Sequence, residues 1–353
     1  MRYLKKNLLG IAGVLQCFFL FPQQQTNSVV DRLEQQSVTK PSELIYMQTN
    51  KDVYETGEDL WYKAYQLDAQ SFELSGLSQT LYLQLISADD SIVWQEKYPI
   101  ANGIADGHVY LDEKLSEGDY SLEAYTQHSF YDDTTGILQA RKIRIVNSIS
   151  RFRSELNNMK PEKEGFRFEM FPEGGNLVAG LPSRVAFKAT DGKGNPVEVE
   201  GVLFQDEAPI AELKSLHQGM GACLFTPLSG KNYRVELSNG EHYLLPEIYP
   251  HGIVLRLSKQ NKESLEFIIS QSKGLPPQQI YLTGQVRGMV CCMAQGILRD
   301  NLKITIPLSE FPYQGIAEFT LYNEQLQPLA ERLVYVHPGK NSQSLPCLIN
   351  KVS

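Results

Sequence analysis

Ile45-Tyr-Met-Gln-Thr-Asn-Lys-Asp-Val-Tyr54-Glu-Thr-Gly57-Glu58-Asp-Leu-Trp61-Tyr-Lys-Ala-Tyr65 is the stretch from which the fold can be read. Leu60, Tyr62 and Ala64 alternate with Trp61, Lys63 and Tyr65, the period of two expected of a half-buried strand. Gly57 stands where a tight reversal needs positive φ without a Cβ clash. The reading is strand, turn, strand. The same grammar recurs downstream in Leu81–Ile86, Gly107–Leu111, Gly118–Tyr125 (with Tyr120, Leu122 and Ala124 inward) and Arg141–Val146. Short strands at this spacing, with few helical signals between them, predict an antiparallel sandwich.

A second set holds Phe166–Met170, Ser183–Ala189, Val202–Phe204 and Tyr233–Leu237, with a turn at Asp191-Gly-Lys-Gly-Asn-Pro196. A third holds Ile253–Leu257, Ser264–Ile269, Ile280–Gln285, Leu302–Ile306, Ala317–Tyr322 and Arg332–Val336. Each set spans roughly 90–110 residues, the size of one sandwich. The expected organisation is an all-β array: sandwiches over 44–147, 166–248 and 249–337, a polar lead-in at 26–43, a linker at 148–165 and a tail at 338–353.

Residues 1–25 read as an export signal. Arg2, Lys5 and Lys6 precede an apolar run from Leu8 to Phe21 that is shorter than the roughly 20 residues a span requires. The expected location is the periplasm, the outer membrane or the cell surface. Gln16 before Cys17, and Phe18-Phe-Leu-Phe after it, argue against a lipid anchor on that cysteine. Beyond the signal lie Cys223, Cys291, Cys292 and Cys347. Their spacing sets no disulfide framework, and they read as small buried hydrophobes.

The net charge of −8 and pI near 5.4 argue against a nucleic-acid partner. The chain has no Gly-x-Ser-x-Gly elbow, His-Glu-x-x-His pair or Gly-x-x-x-x-Gly-Lys-Ser/Thr loop. His108, His128, His217, His242, His251 and His337 lack metal-ligand spacing. The acidic pairs Asp89-Asp90 and Asp132-Asp133 read as solvated turns. The expectation is no catalytic residue, no metal and no cofactor. The 18 tyrosines fall mostly on strands and read as sheet packing rather than as a sugar-stacking platform.

The pattern built on Tyr54, Gly57, Glu58, Trp61 and Tyr65 resembles the opening of the MG2 domain of the α2-macroglobulin superfamily. Phe171-Pro172-Glu-Gly174-Gly175, the Gly219-Met-Gly221 loop, Phe311-Pro-Tyr-Gln-Gly315, and Glu331 with Arg332 resemble later domains of its large bacterial envelope members, some of which carry a TonB-receptor plug. The resemblance implies three consecutive macroglobulin-like sandwiches of Ig or fibronectin-III type. It implies an envelope module with a protein or peptide partner, engaged by strand addition at a sheet edge, and an association with an outer-membrane receptor. The alternative it implies is an endopeptidase inhibitor with a protease as partner. No cysteine here is followed by Gly-Glu-Gln, so this chain carries no thioester. The pattern stops soon after Val336, where longer relatives continue, and the chain reads as a shortened array. The motif residues read as fold-holding, with Glu331 and Arg332 expected to pair at a strand start.

Overall fold

The computed structural model describes residues 43–131, 139–158 and 165–338. The export segment with Cys17, most of the lead-in, Asp132-Asp133, Cys347 and the tail from residue 339 lie outside the described residues.

The first sandwich comprises β1 (Glu43–Thr49), β2 (Val53–Glu55), β3 (Asp59–Asp68), β4 (Thr80–Ser87), β5 (Ile92–Pro99), β6 (Ile104–Tyr110), β7 (Gly118–Tyr125), a one-turn helix α1 (Gln127–Tyr131) and β8 (Gln139–Val146). A sheet in the order β1-β3-β6 faces one in the order β2-β8-β7-β4-β5. All ladders are antiparallel except the short β2–β8 pair. Leu60, Tyr62 and Ala64 of β3 are buried against Leu83, Leu122 and Ile143 of the facing sheet. The intervening Trp61 points outward.

The second sandwich holds β9 (Arg167–Pro172), β10 (Leu177–Val178), β11 (Ser183–Thr190), β12 (Glu200–Gln205), β13 (Ala208–Lys214), β14 (Met220–Phe225), β15 (Tyr233–Leu237), β16 (His242–Leu244) and β17 (Ile248–Tyr249). Its sheets run β14-β11-β9 and β13-β12-β15-β16, with β10 and β17 paired in parallel beside them. The third holds β18 (Ile253–Gln260), β19 (Ser264–Gln271), β20 (Gln278–Val286), β21 (Met289–Leu298), β22 (Asn301–Pro307), β23 (Gly315–Asn323) and β24 (Pro328–Val336), in sheets β18-β19-β22 and β21-β20-β23-β24. Phe187 and Val235 centre the second core; Phe267, Phe311 and Phe319 centre the third, with the Phe267 and Phe319 ring centroids 4.6 Å apart.

Two features depart from the sequence reading. The stretch read as a linker carries a helix, α2 (Ile149–Asn158). Its first turn is fixed to the first sandwich: Ile149 N–H donates to Glu55 Oε1 at 2.6 Å, and Arg144 lies over the Phe152 ring. The second is Glu43, which enters the core as a carboxylate with no basic partner among the described residues. It accepts from the Gln66 amide, from Ser75 Oγ at 3.2 Å, from Ser78 N–H and Oγ at 3.0 and 2.7 Å, and from Thr126 Oγ1 at 2.8 Å. These donors come from β3, the loop after it and the entry to α1, so one side chain ties together one end of the sandwich.

Replacing Glu43 with alanine orphans these buried donors and is expected to destabilise the first sandwich by about 2–4 kcal/mol. Both tryptophans, Trp61 and Trp94, lie in this sandwich, so the shift should appear in urea unfolding followed by tryptophan fluorescence. An unchanged midpoint would show that the cluster carries no stability.

Candidate functional site

The motif residues of the first sandwich build its turns. Tyr54 is fully buried; its hydroxyl donates to Asn50 Oδ1 at 2.7 Å and accepts Lys51 N–H at 3.0 Å. Gly57 has φ +81° and donates its N–H to Leu111 O at 2.6 Å. Glu58 accepts Lys51 Nζ at 2.9 Å and Glu55 N–H at 3.0 Å. Partial burial works to raise its carboxyl, but these bonds hold it below the usual glutamate range. Trp61 and Tyr65 lie on the outer face of β3, Trp61 against His108 with centroids 4.9 Å apart and Tyr65 6.2 Å from Tyr46. Trp61, Tyr46 and Tyr110 are each about half exposed. The packing reading of the tyrosines therefore holds for Tyr54, Tyr62 and Tyr120 but not for this face.

Two of the remaining motifs, the Phe171–Gly175 turn and Arg332, meet between the second and third sandwiches, whereas the Gly219–Gly221 loop and Gly315 each pack within their own sandwich. The turn after Pro172, at the end of β9, carries Glu173, Gly174 and Gly175. Glu173 is buried; its Oε1 accepts Leu257 N–H of β18 at 2.8 Å and lies 3.3 Å from Arg332 Nε of β24. The expected Glu331–Arg332 pair is thus overturned. Neighbours on a strand face opposite ways, so Arg332 reaches Glu173 while Glu331 lies beside Glu318, and burial with that like charge raises the Glu331 carboxyl. Gly174, at φ +81°, presses on β18: a Cβ there would lie 2.7 Å from Leu255 O. Gly175 continues the turn, donating N–H to Pro172 O at 3.0 Å. Gly219 lies in the reversal joining β13 to β14, and a Cβ on Gly221 would fall 2.3 Å from the Phe187 ring. Gly315 opens β23, opposite Val336.

A second contact links sandwiches far apart in sequence. The Arg287 guanidinium, on the hairpin between β20 and β21, donates to Gln70 O at 2.7 Å and sits 3.6 Å from the Phe72 ring centroid. The third sandwich is therefore held to both others.

Beside the Glu173 joint opens a groove of about 1250 Å³. Its floor is the outward face of the β18-β19-β22 sheet, including Val254, Arg256, Ile268 and Lys303; one wall is Gly180–Pro182 and Leu228–Ser229 of the second sandwich. That wall is fixed by Ala179 N–H to Tyr249 O at 2.9 Å and Gly180 N–H to Pro227 O at 2.7 Å. The groove went unread in the sequence because its residues come from separated segments and follow no motif.

Cys223, Cys291 and Cys292 are free and partly buried. Burial raises all three thiols, Cys292 to about 12 with Cys291 and Glu310 adding to the shift. His217 is an exposed turn residue. Among the described residues no group of histidine, cysteine and carboxylate side chains could hold a metal, and no helix is long and apolar enough to cross a membrane.

No protein-family model matches the chain, and no curated protein matches it. Among solved structures it is similar to trypsin-activated alpha-2-macroglobulin from Escherichia coli, at 14% identity over 86% of this chain and 24% of that one, with a TM-score of 0.25. It is similar also to the elastase-activated form of that protein, at 13% identity over 85% and 31%, TM-score 0.26. A third is dimeric latent PorU from Porphyromonas gingivalis, at 11% identity over 84% and 34%, TM-score 0.33. The chain spans a quarter to a third of the length of these proteins.

Two outcomes follow. Arg332→Ala leaves Glu173 buried without its counter-charge and should cost about 3–5 kcal/mol, whereas the joint replacement Glu173→Leu with Arg332→Met should recover much of the loss. Urea unfolding followed by circular dichroism, with hydrogen exchange at the Leu257 amide, measures both; equal losses in the single and double variants would contradict the pairing. In the native chain at about pH 8, Cys223, Cys291 and Cys292 should alkylate far more slowly than in urea, and peptide mass mapping after iodoacetamide would show any thiol that does not.

Proposed function

We propose that this chain is a non-catalytic, macroglobulin-like interaction module of the cell envelope, exported to the periplasm or outer-membrane surface, that engages a protein or peptide partner. The observation that carries the reading is the preformed groove at the joint between the second and third sandwiches. Its two sides belong to different domains, held by the Glu173 contacts to Leu257 and Arg332. A site assembled from fixed domains needs little ordering on binding, which favours affinity. Its volume exceeds the roughly 300–1,000 Å³ of a small-molecule pocket, and it opens along a sheet face, which suits a segment of polypeptide.

The finer proposal is that the partner belongs to outer-membrane transport of the TonB-dependent kind. It draws on the sequence resemblance of the Phe171–Gly175 and Glu331-Arg332 motifs, which the joint brings into one device.

The test is affinity capture from envelope extract with the exported chain, in parallel with Ser229→Trp, which fills the groove at its lip. The expected result is a partner recovered by the parent chain and lost with Ser229→Trp, and an outer-membrane receptor or transport component would support the finer proposal. Equal recovery by both would remove the groove as the site. Recovery of a protease that loses its activity would replace the module reading with an inhibitor.

A further inference from the structure

The floor of the groove has an ordered chemistry. Arg256, Ile268 and Lys303 are register partners across β18, β19 and β22, so they form one row on the outward face. Strands lie about 4.8 Å apart, which sets the two cationic stems about 10 Å apart with the isoleucine between them. The next row is Val254, Ser270 and Asn301. Lys273 and His251 stand at the rim, with Asp300 as the acid of the lining.

The cations are not equivalent. Lys303 is committed to Glu266, at 2.5 Å. Arg256 and Lys273 have no ion pair or side-chain hydrogen bond among the described residues, and Arg256 is half-buried on the sheet face. A half-buried guanidinium without an acceptor is an unfavourable arrangement that a carboxylate would relieve through two parallel hydrogen bonds. The lining carries three Lys or Arg side chains against one acid, in a chain whose net charge is −8. This is a local inversion of sign, of the kind that selects a partner by charge.

We propose that the groove takes an acidic, extended peptide segment of the partner protein, with carboxylates on Arg256 and Lys273 and an apolar side chain seated on Ile268. This deepens the module reading and rests on it. An extended chain presents every second side chain on one face, about 7 Å apart, so an acid and an apolar residue two positions apart can set a carboxylate on Arg256 and an apolar side chain on the neighbouring Ile268. A dense polyanion fits less well: only two cations are free, and Asp300 opposes a continuous run of negative charge.

The experiment is fluorescence anisotropy with a fluorescein-labelled peptide of the repeat Glu-Ser-Val-Ser, about eight residues long, which puts glutamates and valines in alternation on one face, against the same peptide with glutamine for glutamate. The full chain, Ser229→Trp, the pair Arg256→Glu with Lys273→Glu, and Arg256→Lys are compared. The expected result is binding of the glutamate peptide at least about tenfold tighter than its glutamine analogue, weakened about tenfold or more by the charge reversals. Arg256→Lys should fall between the two, since it keeps the charge and loses the fork. Binding should also weaken as salt rises from about 50 to about 500 mM. Equal binding of both peptides that Ser229→Trp abolishes would overturn the acidic preference while leaving the groove as a docking site. Binding that neither Ser229→Trp nor the charge reversals alter would overturn the proposal and the module reading of the groove together. No binding at about millimolar peptide overturns the proposal, and so does tighter capture of dextran sulfate than of peptide through Arg256.

Discussion

The Glu173 carboxylate is the constraint on which the arrangement of the second and third sandwiches depends. It is buried at the turn after β9, where it satisfies a backbone N–H of β18 and lies against Arg332 of β24. One side chain of the second domain thus engages both sheets of the third. A buried carboxylate without a counter-charge is costly, so the Leu257 N–H and Arg332 contacts to Oε1 favour the arrangement of the two domains that makes them, although Oε2 has no hydrogen-bond partner. Gly174 makes the approach feasible, because nothing larger than hydrogen fits between the turn and Leu255 O. The Phe171–Gly175 motif and Arg332 are therefore two halves of one joint.

The groove is a consequence of that joint. Its floor belongs to the third sandwich and its wall to the second, so its width is set by the angle the joint fixes. The Arg287 clamp adds a tie to the first sandwich: the guanidinium bonds Gln70 O and covers the Phe72 ring. Stacking and hydrogen bonding together suit arginine and not lysine. An array held in this way presents a shaped surface, and a partner binding there need not first order the domains.

Much of the fold was legible because half-buried strands announce themselves by alternation. β7 and β15 run over the residues expected from the pattern alone, and the inward Tyr120, Leu122 and Ala124 are all buried. The strands that were missed are ones whose two faces differ little. β5, at a sheet edge, exposes Ile92 and Val93 in succession and offers no period to read. Glu43 was invisible for another reason: a buried carboxylate satisfied by hydroxyl and amide groups has no local signature. The Glu331–Arg332 expectation failed because adjacent residues on a strand point apart, and the true partner of Arg332 lies some 160 residues earlier in sequence. The site suffered most, since Arg256, Ile268 and Lys303 become a row only through register.

The central claim is that the Glu173 contact fixes the second sandwich against the third and so sets the groove. An electron-paramagnetic-resonance distance between spin labels at Ser229 and Asp300, on opposite sides of the groove, tests it most directly. The account predicts one narrow distance distribution in the parent chain and a broad or shifted one in Glu173→Ala. The same narrow distribution in both would contradict it, because the domains would then be held by something other than that carboxylate.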